Sequence, residues 1–474
     1  MGVQKSESSI VPMRAGNVPA DPKEGRDDRV VQLEEGTMPG PLHSENISTR
    51  LQRITAMAKE HPDRVFRSIH HTIDLDLLRE AYRRTRKSAA PGVDGRTAEQ
   101  YEHDLEGNLQ GLLDRVKKGT YRAPPVRRVY IPKAGGKRRP IGIPTFEDKV
   151  LQRAVTMVLS SIYEADFRSS SYGFRPGRSA HDAIEALWQA TMPAGGWVIE
   201  ADIEGFFDHL DHEHLRAFLD QRVTDGVLRR VIHKWLKAGV MEEGRLCHPD
   251  TGAPQGGVIS PLLANLYLHE VLDVWFERDA KPRLKGPAEL IRYADDFVIV
   301  CATKRDAERL LATLHLRFAR YELKLHPDKT RLVRFERPPR SGGEKPPTFD
   351  FLGFTHFWGK SLKGNSVVKR RTAKDRLRGA LRRVTEWCKA NRHRPMQEQH
   401  GAMSRKMRGH YGYFGITANE KAIKRFYHRA KSIWCQALDR RGGRRRMTWG
   451  RFHELLQRWA LPPPRIVHSY VRGT

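Results

Sequence analysis

The alternation of apolar and polar positions divides the first part of the chain into helical and extended segments. Apolar residues recur at helical spacing over residues 51–86, which predicts a helical region. Residues 126–133 and 137–143 instead alternate with the period of a strand, and a glycine pair separates them. This arrangement predicts a basic β-hairpin. Two longer helical stretches follow, at 147–165 and 179–191.

The pattern beyond these helices predicts further strands and helices. Residues 197–203 form an apolar strand that ends in carboxylates, and a helix then runs to about residue 220. Residues 289–301 read as two apolar strands folded about Ala294 and Asp295. The other predicted elements are a helix that Ser260 caps and Pro261 opens, a helix near 304–322 and a strand near 330–335. These elements complete an α+β pattern that extends to about Gly353.

The two ends of the chain differ from this α+β region. Residues 1–45 are rich in Gly, Pro, Ser and mixed charges, which predicts a disordered leader. Residues 361–450 are helical in pattern and hold 25 Lys and Arg against 5 Asp and Glu. We therefore predict an α+β region at 46–355, a helical region at 356–440 and a basic tail at 441–474.

Charge narrows the class of partner. The 474 residues include 85 Lys and Arg and 56 Asp and Glu, which gives a net charge of +29. Such a surplus requires a polyanion, and nucleic acid is the first candidate. An anionic membrane is the second, but no apolar run approaches the roughly 18 residues that span a bilayer. The four cysteines lie far apart and have no paired spacing, so a reducing cytoplasm is expected.

A pair of carboxylates at a predicted turn is the main candidate for chemistry. Asp295 and Asp296 follow Tyr293 and Ala294, and Asp202 ends a separate strand 93 residues earlier. Phosphoryl transfer by two metal ions needs carboxylates that converge from distinct elements. Mg²⁺ prefers oxygen ligands and keeps waters and substrate phosphates, so two or three aspartates suffice. Taken alone, two aspartates at a turn are also ordinary turn chemistry.

Several ordered motifs accompany this pair. They are SAAPGVDG at 88–95, IPK at 131–133, RPIGIP at 139–144, YGFRP at 172–176, ADIEGFFD at 201–208, APQGGVISP at 253–261, LHPDKT at 325–330 and FDFLGF at 349–354. Together with YADD at 293–296 they follow the order of reverse transcriptase motifs. From about residue 50 to near its end, the chain resembles group II intron-encoded reverse transcriptase–maturases. The resemblance implies a right-hand polymerase, with fingers and palm followed by a helical thumb and maturase X domain.

The resemblance also implies roles at the predicted active site. Asp202, Asp295 and Asp296 are similar to the aspartates that bind two Mg²⁺ ions, and the Ile203 carbonyl is a further candidate ligand. Phe207 occupies the position of a ring that would exclude a ribose 2′-hydroxyl, although a core aromatic is the alternative.

Four more residues match positions that handle the nucleotide substrate. They are Lys133 and Arg139 on the hairpin that grips the triphosphate, Gln255 in the Pro-Gln-Gly turn, and Lys329, which could protonate the leaving pyrophosphate or be structural. The positive charge of the hairpin suits phosphate oxygens without any analogy, although a solvated basic face is the alternative. His209, His212 and His214 also suggest a transition-metal site, which we consider the weaker interpretation.

The region after Gly353 resembles the thumb and X domain. Residues 407–415 interleave aromatic and basic side chains, an arrangement that suits unpaired RNA. We therefore expect Arg408 and Tyr411 to contact nucleic acid, although about half of these aromatics could instead be core residues. Arg444, Arg445 and Arg446 form a basic loop that could contact RNA or target DNA. Many relatives continue into a nuclease domain held by cysteine pairs, and we expect no such domain or second-strand cleavage here.

These observations predict an RNA-directed DNA polymerase that also binds intron RNA and supports splicing and mobility. Its expected partners are group II intron RNA, a DNA target and primer, and deoxynucleotides; a dimer is left open. Two rivals remain: a domesticated or defence-associated reverse transcriptase, and a maturase that acts in splicing alone. An RNA-dependent RNA polymerase conflicts with Phe207.

Overall fold

The computed structural model describes residues 43–132, 138–242, 245–247, 252, 256–339, 344, 346–441 and 446–469. Most of the predicted leader and the predicted substrate residues Lys133 and Gln255 lie outside these ranges. The first described helix begins at His43, so the last three residues of the predicted leader are helical. No helix in the described ranges is long and apolar enough to cross a membrane.

The N-terminal half contains eight helices and three strands in the described ranges. They are α1 (His43–Glu60), α2 (Leu75–Arg84), α3 (Ala98–Glu102), α4 (Leu105–Lys117), β1 (Val126–Pro132), β2 (Arg138–Ile143), α5 (Phe146–Asp166), α6 (Ala180–Thr191), β3 (Trp197–Ala201), α7 (His212–Asp220) and α8 (Gly226–Leu236). The continuous helical region predicted at 51–86 is wrong, because 61–74 separates α1 from α2. Asp74 starts α2 anew, since its side chain accepts a hydrogen bond from the Leu77 amide.

The remaining elements continue in order along the chain. They are β4 (Val240–Glu242), β5 (Arg245–Cys247), α9 (Ser260–Leu268), β6 (Ala288–Tyr293), β7 (Asp296–Cys301), α10 (Lys304–Ala319), β8 (Arg331–Arg334), β9 (Phe349–Phe351), β10 (Phe354–Lys360), β11 (Ser366–Thr372), α11 (Lys374–Asn391), α12 (Met396–Phe414), α13 (Glu420–Asp439) and α14 (Trp449–Arg458). Two π-helical segments, His269–Val274 and Phe276–Ala280, follow α9. Ser260 is the first residue of α9 rather than its cap, because Ile259 holds the cap position and makes no side-chain bond.

The described strands form three sheets. One has the order β2-β1-β4-β5, one has β6-β7-β3-β8, and the third has β11-β10-β9. The second sheet is buried on both faces: Ile199 and Ile299 join the core of the N-terminal helices, and Val198 and Val298 face α6 and the third sheet. Mixed helices and sheets followed by a helical region confirm the predicted α+β polymerase fold, with the second sheet as its palm.

The C-terminal helices share a core of their own. Tyr411 and Phe414 of α12 pack with Phe426 and Trp434 of α13 in this core. Phe452 of α14 is buried in the same core, so part of the segment predicted as a basic tail contributes to it. The prediction of helix throughout 361–450 is wrong at its start, because β11 pairs with β10 there.

Candidate active site

The candidate aspartates lie at one end of the palm sheet, at the turn between β6 and β7. Tyr293 pairs with Asp296, so Ala294 and Asp295 form a two-residue hairpin turn. Ala294 has a φ of 56°, the positive value required at the first central position of a type II′ turn. The turn therefore places Asp295 at the tip and Asp296 on the first residue of β7.

Asp202 reaches the same end of the sheet from β3. Ala201 pairs with Phe297 in an antiparallel register, and continuing that register by one residue sets Asp202 opposite Asp296. Residues directly opposite each other in an antiparallel pair project to the same face. Two carboxylates that are 94 residues apart in sequence are therefore cross-strand neighbours.

The chain just after Asp202 is fixed by a bridge between Ile203 and Leu325. The His326 amide donates to the Asp202 carbonyl at 2.8 Å, and the Glu204 amide donates to the Lys324 carbonyl at 2.9 Å. The bridge therefore does not occupy the Ile203 carbonyl. The Ile203 side chain is buried in the core.

Lys329 lies directly against this group of carboxylates. Its Nζ donates to Asp202 Oδ2 at 2.5 Å, and the two side chains are 48% and 16% exposed. An ammonium ion thus occupies one oxygen of the carboxylate from which a metal ligand is expected. Lys329 and Asp202, which the sequence analysis predicted as separate site residues, are therefore in contact.

The fit of metal ions depends on the donor set. In the described ranges, no three His, Cys, Asp or Glu side chains are close enough to enclose a metal ion by themselves. By the register of β3 and β7, Asp202 and Asp296 project to the same face of the sheet, and Asp295 lies at the adjoining turn. Mg²⁺ takes oxygen ligands and keeps waters and phosphates, so this donor set fits it.

The two adjacent phenylalanines after Asp202 have different surroundings. Phe206 is buried in the core, whereas Phe207 is partly exposed and packs only against the edge of that core. Their ring centroids are 5.3 Å apart, in a T-shaped arrangement. An accessible aromatic face therefore lies five residues beyond Asp202.

Arg139, one of the residues predicted to bind the triphosphate, lies in the first sheet. Arg139 of β2 pairs with Ile131 of β1 and is partly exposed. Gly256 approaches this strand so closely that a Cβ added to it would lie 2.5 Å from the Gly142 carbonyl oxygen. The Val258 amide donates to Gln152 Oε1 at 2.7 Å, which ties the same loop to α5. Residues 256–259 are therefore held against β2 and α5, and Gln255 itself lies outside the described residues.

The histidines near the site make contacts within the protein. His212 Nε2 lies 2.6 Å from the Gly252 carbonyl oxygen, and the His214 ring packs edge-on against Tyr321 at 4.8 Å. His209 is exposed. These contacts favour structural roles for His212 and His214 over a transition-metal site.

The predicted nucleic-acid residues of the C-terminal region separate into two groups. Arg408 and Arg446 are exposed, and Arg444 and Arg445 lie outside the described ranges. Tyr411 is 1% exposed and its hydroxyl donates to the Pro462 carbonyl at 3.3 Å, which corrects the expectation that its ring stacks on RNA.

Sequence reasoning missed the charged residue that adjoins the turn formed by Ala294 and Asp295. Arg292 lies inside the apolar strand β6 and is fully buried. It pairs with Asp273, which is also fully buried. The available signal was a cation within an otherwise apolar strand directly before YADD.

Comparison with known proteins agrees with the geometry. The family described as "Reverse transcriptase (RNA-dependent DNA polymerase)" matches residues 131–356. The chain is 31% identical over 384 residues to Group II intron-encoded protein LtrA of Lactococcus lactis, covering 68% of this chain and 62% of LtrA. It is 36% identical over 321 residues to Protein YkfC of Escherichia coli, covering 60% of this chain and 84% of YkfC.

A shorter similarity reaches a plant protein. Nuclear intron maturase 1, mitochondrial, of Arabidopsis thaliana is 32% identical over 94 residues, covering 20% of this chain and 13% of the maturase. Because the alignment with LtrA spans 62% of that protein, the chain matches somewhat less than two thirds of its length.

Proposed function

We propose, because this chain belongs to the reverse transcriptase family and within it to the group II intron-encoded proteins, that it synthesises DNA on an RNA template. The observation that carries the proposal is the register of β3 and β7, which sets Asp202 opposite Asp296 beside the Asp295 turn. Carboxylates from separate strands at one sheet edge suit two-metal nucleotidyl transfer.

In this proposal Asp202, Asp295 and Asp296 hold two Mg²⁺ ions, with the Ile203 carbonyl as a further ligand. Bound there, the ions would neutralise charge that develops on the transferred phosphate and lower the pKa of the primer 3′-hydroxyl. Lys329, which already donates to Asp202, would move to the leaving pyrophosphate and donate its proton there.

Substrate selection would rest on residues around these carboxylates. The accessible face of Phe207 would clash with a 2′-hydroxyl and admit deoxynucleotides. Lys133 and Arg139 would bind the triphosphate, for which compact and forked cations are suited. Gln255, in the Pro-Gln-Gly motif, would contact the nucleotide or the template.

The proposed second activity is binding of group II intron RNA to assist its splicing and mobility in the cytoplasm, as a monomer or dimer. Supporting observations are the similarity to group II intron-encoded protein LtrA and to the plant intron maturase, and the exposed cations of the C-terminal region. Arg408, Arg444, Arg445 and Arg446 are the proposed contacts, and phosphate contacts dominate such binding. The DNA target and primer would use the same basic surfaces.

The test separates the two activities by changing only the carboxylates. Asp295→Ala combined with Asp296→Ala should abolish primer extension on poly(rA) and leave intron RNA affinity within about twofold, because the affinity resides mainly in cations. The matched control, Asp63→Ala with Asp375→Ala, removes the same charge from exposed positions and should preserve synthesis.

Two results would contradict the proposal. DNA synthesis by the Asp295 and Asp296 double variant would remove these residues from the active site. A wild-type protein that binds intron RNA but extends no primer on poly(rA) with Mg²⁺ and deoxynucleotides present would favour the splicing-only alternative.

A further inference from the structure

The Arg292 side chain makes five hydrogen bonds beside the turn formed by Ala294 and Asp295, which is the catalytic turn of the proposed function. It is fully buried in β6, one residue before Tyr293. A guanidinium has five N–H donors, and all five are used. Nε and Nη2 donate to the two Asp273 oxygens at 2.7 and 2.5 Å, Nη2 also donates to Ser171 Oγ at 2.8 Å, and Nη1 donates to Asn265 Oδ1 at 3.0 Å and the Ala294 carbonyl at 3.1 Å.

Among the described residues, Asp273 is the carboxylate that pairs with Arg292. Both side chains are 0% exposed, and the two parallel bonds form the bidentate geometry that fixes an arginine most firmly. His269 lies 3.9 Å from Asp273. Burial lowers the pKa of His269 to about 4, so its neutral ring adds no second cation at neutral pH.

The π-helical turns after α9 explain how Asp273 faces the same way as Asn265. An α-helix advances about 100° per residue, so eight residues would turn Asp273 about 80° past Asn265. A π-helical turn contains more residues and advances less at each one. The segment beginning at His269 therefore brings both side chains to Arg292. Such turns are rare in helices and occur frequently at functional sites.

The same network contacts Ala294 of the catalytic turn at two atoms, the carbonyl oxygen and the amide nitrogen. Arg292 holds the Ala294 carbonyl, which fixes the peptide plane that leads into Asp295. Gly173 lies tightly against the Ala294 nitrogen, because a Cβ added to Gly173 would be 2.3 Å from that atom. Asn265 accepts a hydrogen bond from Arg292 and donates from Nδ2 to the Gly173 carbonyl at 2.7 Å, so it links the two contacts.

We propose that Arg292 and Asp273 are positioning residues, whose bonds to the Ala294 carbonyl and, through Asn265, to Gly173 hold the turn so that Asp295 and Asp296 bind divalent ions. This inference rests on the proposed function, since it assigns the turn a metal-binding role. A purely stabilising role explains less, because an apolar pair of similar volume usually stabilises a core as well as a buried ion pair does.

The chain offers a matched control for losing a buried arginine. Arg222 is 7% exposed, pairs with Asp166 at 2.8 Å and donates to carbonyls at the end of α1. Its hydrogen bonds run to Asp166 and to carbonyls within residues 58–64, away from the catalytic turn. Arg222→Lys should therefore disturb folding about as much as Arg292→Lys without moving the carboxylates.

The experiment compares Arg292→Lys, Arg292→Met with Asp273→Leu, Arg222→Lys and wild type in the full chain. Single-nucleotide incorporation gives kcat and KM, electron paramagnetic resonance of Mn²⁺ gives metal affinity without turnover, and thermal midpoints report folding. We expect both Arg292 variants to lose about 100-fold in kcat, since small misplacements of reacting groups cost that much. Mn²⁺ affinity should fall with it, KM should change less, and Arg222→Lys should retain both kcat and Mn²⁺ affinity.

Either folded Arg292 variant that keeps wild-type kcat and Mn²⁺ affinity overturns the inference. If both fail to fold, hydrogen exchange on the wild type decides: amides of 292–297 should exchange among the slowest, and loop-like exchange there refutes a held turn. If the wild type lacks templated synthesis, the proposed function fails, while Mn²⁺ affinity and exchange still test the positioning role.

Discussion

At the scale of single residues, Phe206 and Phe207 show how neighbours in sequence can differ in role. Phe206 is 3% exposed and contacts Tyr267 across the core, with ring centroids 6.3 Å apart. Phe207 keeps part of its ring accessible beside Asp202. A residue that excludes a 2′-hydroxyl must present such a surface, whereas a core residue must not.

Phe207→Ala should therefore raise the use of ribonucleotides relative to deoxynucleotides by about 10- to 200-fold, the range for steric discrimination in an apolar pocket. Single-nucleotide incorporation of each nucleotide class measures the ratio. Phe206→Leu is the control: it should cost about 1 kcal/mol of stability and leave the ratio unchanged. An active Phe207→Ala enzyme with the wild-type ratio would show that the ring is not a gate.

The sequence identified the candidate carboxylates but not the residues that support them. Asp202, Asp295 and Asp296 stand in motifs whose order is readable along the chain. Tyr411 was misjudged because its helix is amphipathic and only tertiary packing decides which aromatics face Trp434 and Phe426.

At the scale of elements, α5 carries a carboxyl group buried between α4 and α8. Asp148 is 2% exposed and accepts a hydrogen bond from the Tyr121 hydroxyl, which in turn accepts one from Trp235 Nε1 at 2.9 Å. Burial raises the pKa of Asp148 to about 7, although the Tyr121 hydroxyl opposes that shift. The folded protein therefore retains a proton that the unfolded chain releases near its ordinary value of 3.8.

The sign of the resulting pH dependence follows from the raised pKa. The contribution of protonated Asp148 to the free energy of unfolding is fully present below the unfolded pKa of 3.8. It is lost as pH rises through the folded pKa of about 7. Relative to Asp148→Asn, the unfolding free energy of the wild type should fall by about 1 kcal/mol per pH unit between pH 5 and 7. Urea denaturation at each pH measures it, with exposed Asp63→Asn as the control. Parallel curves for wild type and Asp148→Asn would show that Asp148 is ionised in the fold.

Element boundaries were predictable where the pattern is local. The strands β1 and β2 follow the alternation of 126–133 and 137–143, and β6 and β7 follow the apolar run of 289–301. The break after α1 was missed because the segment that follows it is fixed by a distant partner, with the Phe66 amide donating to the Arg222 carbonyl at 2.7 Å. The strand β11 was missed for the same reason, since its pairing with β10 outweighs the helical pattern of its charges.

At the scale of the whole molecule, the positive charge is concentrated in the C-terminal region. Residues 361–450 hold 25 of the 85 Lys and Arg but only 5 of the 56 Asp and Glu. The core of this region is apolar, so its cations cover the outside of a folded helical unit. Binding of RNA there should release counterions and weaken steeply as salt rises.

Replacing Arg444, Arg445 and Arg446 with Ala should lower intron RNA affinity and flatten the slope of log K against log salt by up to about 1 unit per lost contact. Filter binding across a salt series measures both quantities. The control replaces exposed Arg305 and Arg309 of α10 and exposed Arg320 at its C-terminal cap, which changes the net charge equally. Equal losses in the two variants would indicate a general charge effect, and unchanged affinity in the first would exclude the loop.

Because the strand order is β6-β7-β3-β8, neighbouring strands of this sheet leave the ribosome at different times. The central strand β3 is made first, and its neighbour β7 begins 95 residues after β3 ends. At a translation rate of about 5–20 residues per second, both edges of β3 remain unpaired for roughly 5–20 s. During that interval a nascent chain carries an apolar strand that can join another chain. Translation speed and chaperone supply between residues 201 and 334 should therefore govern the yield of active protein more than the same factors elsewhere.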